Sequence, residues 1–202
     1  MGAVPETSRR AQKKAEVREA LVRAAERLFA QRGFEATTID EIADAAGVSR
    51  RTFFRYFETK EAIVFPQTRT RLELFKQLLH ARLEHAPPFE AVRESIFAVG
   101  RTFMTTREAE VERQRLVDTS PSLLAAELEI YQRWENAIAE AAAPRGASAR
   151  RKRRARLFAG ATMGVVRAVL RHWFRAKGRK NLVTLGREAF DALEEGFLDF
   201  RE

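Results

Sequence analysis

The run from Thr37 to Phe57 restricts what this chain can become more than any other part of it. Ile39, Ile42, Ala43 and Ala46 recur at helical spacing behind Thr38, a residue suited to cap a helix start. Gly47 and Val48 interrupt the pattern, and Ser49 caps a second short helix carrying Phe53, Phe54 and Phe57. Two helices that cross closely need a small residue where they meet, and Ala43 supplies it. The turn needs a residue at ease with positive φ, and Gly47 supplies it. Ile42, Ala46, Val48 and Phe53 form the inner face. The second helix offers Ser49, Arg50, Arg51, Thr52, Arg55 and Tyr56, with no acid among residues 49–57. A helix-turn-helix that presents hydrogen-bonding side chains to a nucleic-acid groove has this pattern. An ordinary helical hairpin with a basic outer face is the alternative.

The rest of the chain reads as helix, and the fold class expected is all-α. Leu21, Ala24, Ala25, Leu28 and Phe29 mark a first helix of about 18 residues that ends near Gly33. Another helix starts at Thr59, with Glu61 in its first turn. Pro66 kinks or breaks it, and the pattern resumes to His85. Pro88 opens a helix carrying Val92, Ile96, Val99 and Phe103, and a segment around Val111–Val117 follows. Ser120-Pro121 starts a helix with Leu124, Leu128, Tyr131, Trp134 and Ile138 on one stripe. Two last helices are expected over 149–177 and 182–200. The first is apolar around much of its girth, with small Gly160, Ala161 and Gly164 permitting close approach. The second carries the stripe Leu185, Ala189, Leu193 and Phe197.

Composition excludes several functions. With 202 residues and 45% hydrophobic content, the chain has the material for a core. It has no cysteine, so disulfides, thiolate metal sites and thiol nucleophiles are out. His80, His85 and His172 adjoin no acidic cluster, and no metal or cofactor is expected. No Gly-rich phosphate loop follows a strand. No apolar run approaches the roughly 18 residues of a membrane span. Met1–Arg10 lacks the apolar core of a secretory signal, which makes a cytoplasmic protein the default. No Ser–His–Asp set is evident, so an enzyme is not expected. The net charge of +9 favours an anionic partner, and it is unevenly placed: residues 145–180 hold thirteen cations and no acid. A small helical enzyme or ligand carrier is the competing class. A basic membrane-surface protein is a further one, but the apolar width of 149–177 suits burial better than lipid.

Residues 14–62 resemble the DNA-binding domain of the TetR family of bacterial transcription regulators. Leu28-Phe29-Ala30-Gln31-Arg32-Gly33-Phe34, then Thr37-Thr38, Ile42-Ala43, Ala46-Gly47-Val48-Ser49, Tyr56-Phe57 and Lys60-Glu61 carry the resemblance. It implies about nine helices: three for DNA binding in residues 1–60, and six in a regulatory domain over 61–202 with a ligand pocket and the dimerisation pair 149–177 and 182–200. It implies a homodimer, and a ligand-responsive repressor released from a palindromic double-stranded operator by a small effector. Thr38 and Ser49 then hold phosphates at helix N-termini. Arg50, Arg51 and Thr52 face the major groove, Arg55 reaches bases or phosphate, and Tyr56 and Lys60 grip the backbone. Two positions depart from the family. Phe54 replaces a frequent tyrosine and keeps only apolar contact. Arg51 replaces a small residue and brings a direct base contact, bidentate to guanine.

Outside this region the residues leave more open. Phe97, Phe103, Trp134 and Trp173 are the candidates for a pocket wall, with core packing as the alternative for each. Arg113, Arg115 and His172 are candidates for an anionic head group. The arginine-rich reading helix with paired phenylalanines resembles regulators whose ligands are acyl-CoA esters. Arg9, Arg10, Lys13 and Lys14 precede the expected first helix, as a DNA-contacting arm or as a frayed terminus. Arg150-Arg151-Lys152-Arg153-Arg154 and Arg156 have three readings: a solvated helix start, pairing with Glu188, Asp191, Glu194 and Glu195, or an anion site for a nucleotide-bearing ligand.

Overall fold

The computed structural model describes residues 6–196, with side chains from Gln12 onward. Ten α-helices and no strand occur among them: α1 (Glu6–Arg32), α2 (Ile39–Ala45), α3 (Arg50–Tyr56), α4 (Lys60–Val64), α5 (Thr68–Leu83), α6 (Pro88–Thr105), α7 (Arg107–Asp118), α8 (Pro121–Ala142), α9 (Ala149–Arg175) and α10 (Leu182–Glu195). The number exceeds the nine expected. Pro66 lacks the N–H a continuous helix needs, so the chain stops at Val64 and restarts at Thr68 as a separate element. Pro88 stands at the first turn of α6, where that missing donor is harmless. The first helix begins well before its apolar stripe, because residues 6–20 are rich in Glu, Arg, Lys, Gln and Ala, all good helix formers. Arg9, Arg10, Lys13 and Lys14 therefore belong to α1 and do not precede it. Phe197 and the end of the expected last helix lie outside the described residues.

The chain divides into two compact units. One holds the residues up to Pro66 together with Leu116–Ala126, and the other holds Gln67–Arg115 and the residues from Glu127 on. The first thus extends past residue 60 and takes in a later segment. Its core is Leu21, Ala24, Ala25, Phe29, Phe34, Ile42, Ala43, Phe53, Phe57, Ile63 and Val64, joined by fully buried Val117 and Leu123. Glu35 adds polar ties within this unit, accepting from the Ser120 hydroxyl at 2.6 Å and the Ser122 hydroxyl at 2.8 Å.

In the second unit, Phe75, Leu79, Ala91, Val92, Val99, Ala137, Ile138, Ala159 and Met163 form the main cluster. A charged knot sits at its side. Buried Glu110 takes a guanidinium hydrogen bond from Arg71 at 2.5 Å and another from Arg113, and Arg71 lies 3.9 Å from the centre of the Phe103 ring. Burial alone would push the Glu110 carboxyl up, but Arg113 and Arg71 together hold it below the usual carboxylate value. On α10, Leu182, Gly186 and Phe190 point inward, while the stripe Leu185, Ala189 and Leu193 is half-buried. Gly186 is where Phe97 comes close; a Cβ there would stand 3.1 Å from its ring.

Candidate nucleic-acid interface

The helix-turn-helix is set by three local devices. Thr38 has extended backbone and caps α2. Gly47 sits at φ +69° in the turn, so a side chain there would be strained. Ser49 caps α3 by accepting the Thr52 N–H at 3.2 Å. Between the helices Ile42, Ala43 and Phe53 are almost fully buried, with Ala46 and Val48 half-buried at the edge. Packing Phe53 and Phe57 inward turns the opposite rows of α3 outward. With 3.6 residues per turn these rows are Arg50–Phe54 and Arg51–Arg55.

The outward side chains differ in how they are held. Arg50 pairs with Asp40 at 2.7 Å and lies over the Phe54 ring at 5.5 Å. Phe54 is 44% exposed, its ring edge-on to Phe53 at 5.6 Å. Arg55 lies 5.2 Å above the Tyr56 ring. Arg51 is exposed, with no ion pair to any described residue. The Ser49 and Thr52 hydroxyls lie 3.1 Å apart on the same helix start. The surface therefore offers cations, hydroxyls and one apolar ring, with no acid in the first turn of α3.

Two expected phosphate ligands are engaged elsewhere. The Thr38 hydroxyl and backbone N–H both donate to the Glu41 carboxylate at 2.8 Å, and the Glu41 N–H returns to the hydroxyl at 3.3 Å. Arg32 holds the same carboxylate at 2.7 Å. The Thr38 backbone N–H, then its hydroxyl, lower the Glu41 pKa. An anion thus already sits at the start of α2, where a phosphate was expected. Thr38-Ile39-Asp40-Glu41 is a capping box, and that spacing was visible in the sequence. Lys60 is the second. Its ammonium donates to the carbonyls of Phe34 and Thr37, each at 2.9 Å, and lies 4.1 Å from the centre of the Phe34 ring. It clamps the loop between α1 and α2. Arg18, which sequence reasoning passed over, donates to the Pro66 carbonyl and covers the Phe57 ring at 5.2 Å.

Of the expected pocket residues, Phe103 and Trp134 both pack against the main cluster of the second unit. Phe97 packs edge-on to Phe190 at 5.6 Å, and Trp134 lies 4.9 Å from Phe75. Phe103 lies beneath Arg71. Trp173 is fully buried, and its indole N–H donates to the Lys180 carbonyl at 2.9 Å. A cleft of about 620 Å³ opens among Pro88, Phe89, Ala142, Ser148, Arg150, Arg151, Arg154, Ala155 and Phe158. The acids of α10 are not paired with the basic start of α9; Glu194 holds Arg93 at 3.3 Å.

Two short helices crossed on a left-handed glycine, the second carrying arginines and hydroxyls outward, define a helix-turn-helix DNA-binding protein. Residues 21–65 match the family model described as bacterial regulatory proteins, tetR family, and residues 86–198 match that of the MftR C-terminal domain. The chain belongs to the TetR family and is a transcriptional regulator. It is 31% identical over 173 residues to the mycofactocin biosynthesis regulator MftR of Mycobacterium tuberculosis, covering 84% of this chain and 85% of that one. To the transcriptional regulator TcmR of Streptomyces glaucescens it is 33% identical over 198 residues, covering 91% and 86%. The crystal structure of Thermus thermophilus FadR, a TetR-family repressor in complex with lauroyl-CoA, aligns over 92% of this chain and 96% of that one. Its TM-score is 0.57 at 26% identity.

Proposed function

We propose that this regulator is a repressor that binds a palindromic operator as a homodimer, one α3 per half-site, and is released by a small acyl-CoA-type effector. The observation that carries the DNA reading is the outward face of α3. Arg51 is exposed and uncommitted, and reads a base edge, bidentate to guanine. Phe54 offers its ring to a thymine methyl. Arg55, Tyr56, Ser49 and Thr52 position the helix on phosphates and sugars. Arg50 reaches the duplex by exchanging Asp40, and Lys60 acts indirectly by fixing the loop.

The dimer reading rests on α9 and α10. Leu157 is 69% exposed, and Ala161, Gly164 and Ala168 continue its exposed row along α9. The half-buried stripe on α10 extends an apolar seam suited to a second copy. The effector reading is supported by the lauroyl-CoA in the FadR relative. None of the described helices is long and apolar enough to cross a membrane, in keeping with action at DNA in the cytoplasm.

The test is selection of bound duplexes from a random pool, followed by mobility shifts over a range of salt. A palindromic site, two chains per duplex and binding that weakens steeply with salt are expected. Selection of no preferred sequence would overturn the reading. Release of the selected duplex by lauroyl-CoA tests the effector separately.

A further inference from the structure

The start of α9 carries six cations within Arg150–Arg156, all exposed and none paired with a described acid. The first turn of the helix contains no acid either. Cations at that end oppose the helix dipole and repel one another, and the Ser148 cap that accepts the Arg151 N–H brings no negative charge to offset this. Three of them, Arg150, Arg151 and Arg154, line the cleft of about 620 Å³. They share one helix face, because 150 and 154 are one turn apart. The Arg151 Nε donates to the Ala142 carbonyl at 3.3 Å, which aims its terminal nitrogens. Phe89 and Phe158 add an aromatic element to the lining, their ring centres 6.2 Å apart.

The volume is that of a small-molecule site. Guanidinium forks match phosphate oxygens in pairs, whereas aromatic rings take a flat or apolar group. An inorganic anion would leave the rings unused, and a plain fatty acid would leave two arginines unused. We infer that this cleft binds the phosphate-bearing end of a nucleotide-type organic polyanion, with Arg150, Arg151 and Arg154 on the phosphates and Phe89 and Phe158 beside its flat or apolar part. The inference deepens the effector reading above and rests on it for the identity of the ligand.

Calorimetry on the full chain, with coenzyme A, lauroyl-CoA and dodecanoate as probes, tests it without DNA. The variant R150Q/R154Q removes two cleft cations. The variant K152Q/R153Q removes the same charge from the same run outside the cleft. All four positions are exposed, so circular dichroism should show both variants helical. Charge-assisted contacts of this kind are worth about tenfold or more in affinity apiece. Coenzyme A and lauroyl-CoA should bind the wild type and weaken at least tenfold in R150Q/R154Q, but about twofold or less in K152Q/R153Q. Dodecanoate should not distinguish the three proteins. Equal loss in both variants, no loss in the cleft variant, or no binding of coenzyme A to the wild type overturns the site. A cleft variant that loses operator affinity instead marks a nucleic-acid surface and also overturns it. Arginine-dependent binding of lauroyl-CoA without operator release sinks the effector reading and leaves the site standing. Release at unchanged concentration in the cleft variant does the reverse.

Discussion

Helix α3 and the start of α9 both set arginines side by side, yet they are organised in opposite ways. On α3, Arg50 is held by Asp40 and Phe54, and Arg55 lies on Tyr56, while Arg51 is exposed with no ion pair to a described residue. On α9, six cations crowd one helix start with no described acid to answer them. Density of charge alone does not tell these apart. Partners on α3 hold Arg50 and Arg55 aside and leave Arg51 available to a base edge, whereas the mutually repelling cations of α9 leave a field that waits for an anion. A third setting bounds the comparison: Arg71 and Arg113 are folded around Glu110 inside the protein.

The largest effect is expected in that third setting. Glu110→Gln takes from the buried Arg71 guanidinium the carboxylate it pairs with and should destabilise the protein by about 3–5 kcal/mol in chemical denaturation. Its acid behaviour should change as well. The Glu110 carboxyl is held below its ordinary value, so its stabilisation is complete above about pH 4.5 and lost as pH falls through the depressed value. The variant should lack this part of the acid loss. A variant as stable as the wild type would mean the knot contributes no more than the exposed pairs of α3.

Lys60→Met comes next. Two carbonyls lose a charge-assisted donor, and about 1.5–3 kcal/mol of stability should go with it. Operator affinity should fall with the loosened loop. A variant of unchanged stability whose salt slope drops by about one would instead restore Lys60 to a phosphate.

Arg51→Ala should cost about 1–3 kcal/mol at one base position and relax the selected site there, with stability within about 0.5 kcal/mol of wild type. Arg50→Ala should change the selected sequence less, because Asp40 already competes for that guanidinium. If Arg50 proves the stronger reader in binding-site selection, the ranking of the α3 arginines by their internal partners is wrong.

The smallest effect belongs to α9. Lys152→Glu places an anion in the first turn and should stabilise by about 0.3–1 kcal/mol, read as a rise in melting temperature. A fall would show that the run already has an anionic partner that the described residues do not include.

Much of the DNA-binding unit is legible in the sequence alone. Capping by Thr38 and Ser49, the glycine turn and the inward Phe53 follow from rules a few residues long. The helix break at Pro66 and the helix start at Pro88 follow as locally, since a missing N–H stops a helix interior and is harmless in a first turn. The internal partners of Thr38 and Lys60 differ in how far the sequence shows them. Glu41 reaches Thr38 within one turn, so a capping box was there to be read. Lys60 is tied to Phe34 and Thr37, and no local rule says which carbonyls a flexible ammonium will meet.

The sequence by itself determined an all-helical chain, the position of the helix-turn-helix, its family, and the uncompensated charge of 145–180. These depend on periodicity, caps and composition, which are properties of neighbours along the chain. Tertiary structure alone decided that Phe103 and Trp134 meet the same cluster while Phe97 meets Phe190. It also decided that Arg71 and Arg113 share Glu110, and that the cleft opens beside Arg150, Arg151 and Arg154. Each of these depends on which helix faces are brought together. An aromatic ring gains as much from one apolar neighbour as from another, and a cation is as satisfied by one carboxylate as by the next.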